Sequence, residues 1–459
     1  MLDKAVAQRH LTILAEQLST IDAARKGLLD QLASLDAQST ELQRKYNRIH
    51  NDSSLIAVLP DEILSAIFLT AHAMLQHNQP PIEIQMSQIT HHWRNVALDT
   101  PQLWSRIEHL KFTSLYLRRS KAVPFTLDLP ATSTPFAIGD ESEDKLARDA
   151  FEQLPLHLSR CTSLKYHCKF QREILLLMRY LESAKAPRLL TLDLNCQTSQ
   201  RSSAYKPVLQ DGLHIMRKLH LHNIHLKAFQ GSLASVTTIT FTATRDLSHA
   251  EFSAMCDALT SAPSLSTFRF MGDVLHGWEY NVPILAPSLR RLYMKSVSGA
   301  AVCGILSALS APSLSYLYLG DLPAHAAHGF PRGPSPGAAP RYPALRTIEI
   351  GSIKFDRSII IEAFPTIEEL VLGQFTEEVE LLLALFHNPG HWPQLRMVTI
   401  QSRVSPGPLE GILLAREAMG CPIKKLRIYP DLLRNLRKAA KAEGSVFGRV
   451  ELAPLVRSM

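Results

Sequence analysis

The sequence predicts a fold in three parts: an N-terminal long heptad helix, a small all-helical domain, and an α/β leucine-rich-repeat solenoid with irregular repeats. Three observations predict it. Apolar residues recur every seven positions through residues 5–49 with no proline. A block of helix-spaced apolar residues, cut by prolines and polar loops, follows over 55–108. From about 110 to 450, phrases of the form P-x-L-x-x-L-x-L recur at intervals of 22–31 residues. The corresponding divisions are 1–50, 55–108 and 110–450, with a flexible insertion at 329–343.

Composition narrows the function classes. The chain has 459 residues, 46% of them hydrophobic and 20% charged, which is a folding rather than a disordered composition. A net charge of +7 permits an acidic partner, but it is diluted over a long chain and is not a nucleic-acid signature. No stretch approaches 18 uninterrupted apolar residues, so no membrane span is expected. The opening MLDKAVAQRHLTILAEQ has no compact apolar core with a small-residue cleavage site. Six cysteines are widely spaced and form no CxxC pair, which suits a reducing compartment. An intracellular location, cytoplasm or nucleus, is expected.

In the first part, one heptad position holds Leu11, Leu18, Arg25, Leu32, Ser39 and Tyr46, and the other Leu14, Ile21, Leu28, Leu35, Leu42 and Ile49. A repeat sustained this long keeps an apolar stripe on one side, where it seeks a helical partner. Self-association or a partner helix through residues 5–49 is one reading. A helix or bent hairpin folded onto the next domain is the other. Gly27 weakens the helix locally.

In the second part, Asn51-Asp52-Ser53-Ser54 breaks the helix. LPDEILSAIF, 59–68, then opens another: Pro60 suits a first-turn position, Asp61-Glu62 suit a helix N-terminus, and Ile63, Leu64, Ile67 and Phe68 form a stripe. A polar loop from His72 to Pro81 leads to Met86, Ile89, Trp93 and Val96, spaced as one face of a second helix. Thr100-Pro101 stops it, and Leu103, Trp104 and Ile107 continue into a third element. Trp93 and Trp104 read as core aromatics of a domain too small to be comfortable alone.

In order, Leu59-Pro60, Glu62, Ile63-Leu64, Ile67-Phe68, Trp93-Arg94 and Pro101-Gln102-Leu103-Trp104 resemble an F-box. More closely, with the preceding heptad helix, they resemble the F-box proteins common in mushroom-forming (basidiomycete) fungi. Thr90 stands where such proteins often carry cysteine, and His91-His92 replace a more basic pair. The resemblance implies a domain that binds the adaptor protein of a cullin-RING (SCF-type) ubiquitin ligase. It implies adaptor contacts through Leu59, Pro60, Glu62, Ile63, Leu64, Ile67, Phe68, Trp93, Leu103 and Trp104.

In the third part, the phrases are PRLLTLDL (187–194), PSLSTFRF (263–270), PSLRRLYM (287–294), PSLSYLYL (312–319), PALRTIEI (343–350), PTIEELVL (365–372) and PQLRMVTI (393–400). Weaker copies start at 216, 235 and 421. Each alternates apolar and variable residues and reads as a short strand, with helical stretches such as 252–262 and 301–311 between. One unit cannot bury its own apolar face; a stack of about 8 to 11 can. Prolines at the strand entrance fit, because their absent N–H matters least there. The pattern resembles the repeats of the F-box/leucine-rich-repeat class. Asp193, Asn195, His220, His222, Arg269, Tyr293, Tyr316, Tyr318 and Glu349 alternate with core positions, so they are the candidate contacts to a protein substrate.

Other constellations are weaker. His214, His220, His222 and His225 lack a nearby acidic or cysteine co-ligand, so a solvent-facing strand surface is expected and no metal. No phosphate-binding glycine loop, nucleophile elbow or HExxH motif occurs, and no catalytic set can be nominated. No cofactor is expected. Lys424, Lys425, Arg427, Arg434, Arg437, Lys438 and Lys441 make a basic C-terminal run, readable as a solvated cap on the last repeat or as a phosphate or acidic-peptide contact. The acidic segment 139–145 reads as surface. The expected function is substrate recognition for a ubiquitin ligase, by a chain that is not itself an enzyme. The alternative is a non-ligase interaction scaffold with a degenerate F-box.

Overall fold

The structure is a computed structural model of the full chain. It describes residues 4–74, 81–130, 141–182, 184–198, 206–209, 214–229, 233–244, 249–272, 283–297, 299–322, 340–352, 358–373, 391–401, 406–441 and 445–455. The chain divides into two compact units, Met1–Trp104 and Ser105–Met459. No described helix is long and apolar enough to cross a membrane.

The first unit opens with α1 (Lys4–Asp52), a single helix through Gly27. Both heptad seams lie exposed along its length, from Leu11 to Ile49. A 3₁₀ turn, Leu55–Val58, leads to α2 (Asp61–Met74), α3 (Ile82–Ile89), α4 (His91–Asp99) and a second 3₁₀ turn, Pro101–Trp104. Leu64 and Phe68 of α2, Met86 of α3, Val96 and Ala97 of α4, and Leu103 and Trp104 fill the interior.

Two local readings change. Pro60 precedes the first helical residue instead of occupying the first turn; its carbonyl accepts the N–H groups of Ile63 and Leu64, each at 3.0 Å. The single helix expected through Met86 and Val96 is two. Thr90 is extended, and its hydroxyl accepts the Trp93 N–H at 3.0 Å, capping α4 where a continuous helix would have run. Ile89 is therefore turned out to 51% exposure instead of completing the stripe.

The second unit is a large parallel α/β region. Its strands are β1 (Arg106–Ile107), β2 (Phe125–Leu129), β3 (Cys161–Cys168), β4 (Thr191–Cys196), β5 (Lys218–His222), β6 (Thr238–Thr242), β7 (Thr267–Met271), β8 (Ile284–Leu285), β9 (Arg291–Lys295), β10 (Leu309–Ser310), β11 (Tyr316–Gly320), β12 (Thr347–Ile350), β13 (Glu369–Leu372), β14 (Met397–Ile400), β15 (Lys425–Ile428) and β16 (Glu451–Pro454). Among the described residues, fourteen form one sheet in strict sequence order, and β8 and β10 pair separately. Every pairing is parallel.

The repeated phrase explains this regularity. In Ala186-Pro187-Arg188-Leu189 the leucine N–H donates to the alanine carbonyl at 3.1 Å, a β-turn with proline at its second position, where its fixed φ belongs. Turns closed by Leu265, Leu289, Leu314, Leu345 and Leu395 have the same bond at 3.0–3.1 Å. The strand begins four residues after each of these prolines. The prolines thus shape the turn before the strand and do not stand at its entrance. Next, paired N–H groups dock on the preceding repeat: those of Arg290 and Arg291 reach the Ser266 carbonyl at 2.9 and 3.0 Å, and those of Ser315 and Tyr316 reach Arg290 at 3.0 Å. Two alternate residues per strand then point inward. Leu192 with Leu194, Leu219 with Leu221, Phe268 with Phe270, and Leu317 with Leu319 are all at most 2% exposed.

The sheet extends past the recognised phrases at both ends. β1, β2, β3 and β16 carry no P-x-L signature. Helices stand behind several strands, among them His249–Thr260 and Gly299–Ala308. In the connection from β5 to β6 the described residues form a 3₁₀ turn, Leu226–Phe229, whose Ala228 and Phe229 are 0% exposed. The insertion at 329–343 lies, up to Ala339, outside the described residues, as do most of the loop 72–81 and the first two residues of the acidic segment 139–145, whose remainder starts the helix Glu141–His157. The basic run is divided. Lys425 and Arg427 belong to β15, whereas Arg434, Arg437 and Lys438 lie on the exposed face of the helix Pro430–Ala439, followed by one more strand.

Candidate functional site

Two surfaces carry the candidate residues. In the first unit, the structure sorts the ten predicted adaptor contacts by depth. Leu64, Phe68, Leu103 and Trp104 are 0% exposed. Trp104 donates its indole N–H to the Ala97 carbonyl at 2.8 Å. Trp93 is half-buried, its ring 5.0 Å from that of Phe68. Pro60 and Glu62 are exposed and Leu59 is half-buried. Ile63 and Ile67, one helical turn apart, are 50% and 41% exposed. Val58, just upstream, is 78% exposed. The core is closed without these side chains, so an apolar strip remains on the surface of α2 and the turn before it.

The framework beneath this strip is polar and specific. Arg94 donates from Nε to the Ser87 carbonyl at 2.9 Å, tying α4 to α3. Glu83 of α3 is 4% exposed and lies 3.3 Å from Nδ1 of His72 on α2. A groove of about 790 Å³ elsewhere in this unit is lined by residues that include Arg44 and Arg48 of α1, Ile56, Ile89, His91 and Trp93.

In the second unit, the outward residues of the strands form cross-sheet rows. One row runs Lys165, Asp193, His220, Thr240, Arg269, Tyr293, Tyr318, Glu349. Six of the nine predicted substrate contacts stand in it. At about 4.8 Å per strand, Asp193 to Glu349 span on the order of 30 Å. Tyr316 belongs to the adjacent row, with Arg291 and Thr347 as neighbours. Asn195 and His222 belong to the row on the other side.

These side chains interlock. Asp193 lies 3.6 Å from His167 Nε2 and 3.6 Å from His220 Nδ1. Burial raises its carboxyl, but the two imidazoles outweigh that and hold it well below the usual carboxylate range. In return Asp193 raises the His167 imidazole despite burial, whereas burial and the neighbouring His167 lower His222. Arg269 stands 4.7 Å from the ring centre of Tyr293, which lies 5.2 Å from Tyr316 and 6.0 Å from Tyr318. Tyr316 donates its hydroxyl to Glu349. Burial and the nearby Asp321 and Glu349 push Tyr318 up to about 12, and burial with the Glu349 contact raises Tyr316 further. A Cβ on Gly320 would meet the Tyr318 hydroxyl, and one on Gly351 would stand 3.1 Å from the Gly320 Cα, so glycines at these strand ends make room for the tyrosine.

The reading of single phrases missed other members of this face. Lys165 pairs with Asp128 at 2.8 Å on β3 and β2, and Arg427, read in the sequence only as part of the basic C-terminal run, reaches Glu369 at 3.2 Å. β3 lacks the proline turn, so only its alternation in TSLKYHC marked it. Among the described residues the strand order has no reversal, and so no switch-point crevice of the kind in which open α/β sheets commonly bind cofactors. Among the described residues, no cluster of three or more His, Cys, Asp or Glu is arranged to hold a metal ion. The strand positions of His220 and His222 alternate with buried Leu219 and Leu221, which makes them half-exposed face residues. No protein-family model matches this chain, and no curated protein matches it by sequence.

Proposed function

We propose that the chain is the substrate-recognition subunit of an SCF-type cullin-RING ubiquitin ligase. In this reading the helical bundle of the first unit is an F-box that binds the adaptor, and the parallel sheet region is an irregular leucine-rich-repeat solenoid that binds the substrate protein. The observation that carries it is the apolar strip of Val58, Pro60, Ile63 and Ile67, left outside a core already filled by Leu64, Phe68 and Trp104. A small bundle gains by covering such a strip with a partner. The LPDEIL…IF, WR and PQLW motifs of the resemblance supply the bundle's surface and core alike.

The mechanism is geometric. The sheet face offers an extended polar row, as substrate binding through side chains of successive strands requires. Holding a bound protein near a ubiquitin-loaded enzyme raises its effective concentration. The chain itself contributes no proton-transfer group and takes no cofactor. Reconstitution tests the reading: full-length protein mixed with purified adaptor, cullin and RING subunits should elute as one complex. A well-folded chain that elutes apart from the adaptor would contradict it and leave a scaffold with a degenerate F-box.

A further inference from the structure

We infer that α1 is a parallel, in-register, two-stranded coiled coil with a second copy of this chain. The claim is independent of the ligase reading. It begins with exposure: Leu14, Ile21, Leu28, Leu35, Leu42 and Ile49 are all more than half exposed along one seam of α1. The other seam, from Leu11 to Tyr46, is equally uncovered. The next longest described helix has 17 residues against the 49 of α1, too few to cover either seam by itself.

The placement of the polar layers points to an identical partner, and the area and flanks permit one. The seam from Leu11 to Ile49 is roughly 57 Å long at about 1.5 Å per residue, and a strip about 10 Å wide covers on the order of 600 Å² per helix. Ordinary specific interfaces cover roughly 800 Å² per partner. The first seam holds two polar residues, Arg25 and Ser39. Aligned in parallel and in register, Ser39 meets the second copy's Ser39 and Arg25 meets the second copy's Arg25, so every other layer is apolar. Each arginine lies three residues from Asp22 of its own helix, on the same side. A slip of one heptad, or an antiparallel alignment, would set each polar residue against an apolar one and double the number of layers that contain a polar residue. Polar residues at this position commonly fix register and the number of strands in this way.

The flanking positions permit self-pairing. In the parallel alignment Gln17 falls across from Asp22, Gln31 from Asp36, Gln38 from Gln43, and Lys45 from His50. No two carboxylates oppose each other. Most of the remaining charge, including Glu16, Lys26, Asp30, Glu41, Arg44 and Arg48, lies on the outer face.

Sedimentation equilibrium of the full-length protein tests the proposal. Wild type is expected at twice its 51.2 kDa mass. Leu28→Asp/Leu35→Asp, which alters only exposed side chains, is expected to weaken association by about 100-fold or more, with circular dichroism reporting the rest of the fold. Ser39→Cys gives the orientation: in register it should form an interchain disulfide on mild oxidation that wild type, with its native cysteines, does not. A monomeric wild type would overturn the proposal and leave the seam to a helix of another protein. A dimer surviving Leu28→Asp/Leu35→Asp would overturn it too, by placing the interface elsewhere. A dimer in which Ser39→Cys fails to cross-link would overturn the parallel register.

Discussion

The carboxylate of Asp193 and the imidazole of His167 stand 3.6 Å apart on neighbouring strands, and each shifts the other's titration. Asp193 is depressed below its ordinary 3.8, so its contribution is present above that value and lost as pH falls through its folded pKa. His167 is raised above its ordinary 6.5, so its contribution is complete below 6.5 and lost as pH rises through its folded pKa. The pair therefore stabilises most between about pH 4 and 6.5. Asp193→Asn should lower the His167 pKa in an NMR titration and cost about 1 kcal/mol or less in that window, with a smaller difference at higher pH, since both groups are partly exposed.

The stacked glycines beside Tyr318 predict an order of effects. In Gly320→Ala the new methyl meets the Tyr318 hydroxyl, the movable end of a side chain, so stability should fall by about 1 kcal/mol or less while the tyrosine is displaced from the face. In Gly351→Ala the methyl meets backbone at 3.1 Å, and the cost should be larger, roughly 1–3 kcal/mol. Urea denaturation of the two variants checks the order.

Arg416 predicts a large effect from a residue with no functional signature. It is 0% exposed and donates to the carbonyls of His391 and Trp392 at 2.6 and 2.7 Å. Trp392 in turn donates its indole N–H to the Phe364 carbonyl at 2.8 Å, linking successive turns. Arg416→Ala should cost about 2–4 kcal/mol, through two lost charge-assisted bonds and the space left behind. The same denaturation measurement checks it.

In the first unit, framework and surface should separate. Arg94→Ala loses the tie to Ser87 and should lower stability by about 1 kcal/mol. Ile63→Asp, at a half-exposed position, should leave thermal unfolding within about 0.5 kcal/mol of wild type. Calorimetry distinguishes the two outcomes.

Much of this was legible in the sequence, for a physical reason. A leucine closing a proline turn, followed by two alternate apolar residues, lets a strand dock on its predecessor, and those residues recur from Pro187 to Ile400. The outward positions followed from the same alternation, so Asp193, His220, Arg269, Tyr293, Tyr318 and Glu349 fall in one row. Register between phrases was not legible, because it depends on connection lengths that range from a 3₁₀ turn to a long helix. Hence His167 and Lys165, on a strand without the turn, were missed. Thr90 hid its role because a threonine inside an apolar period reads as a tolerated helical residue until its hydroxyl is seen to cap the next helix. Arg416 sits at a helical position whose burial nothing local announces.

The most direct test of the central claim is calorimetric titration of the full-length protein with the purified adaptor of the cullin ligase, beside Pro60→Ala/Ile63→Asp. Both residues are exposed, so the variant should remain folded. The account predicts submicromolar binding by wild type and a loss of at least about 100-fold in the variant. Absence of binding by folded wild type, or equal binding by the variant, would contradict it.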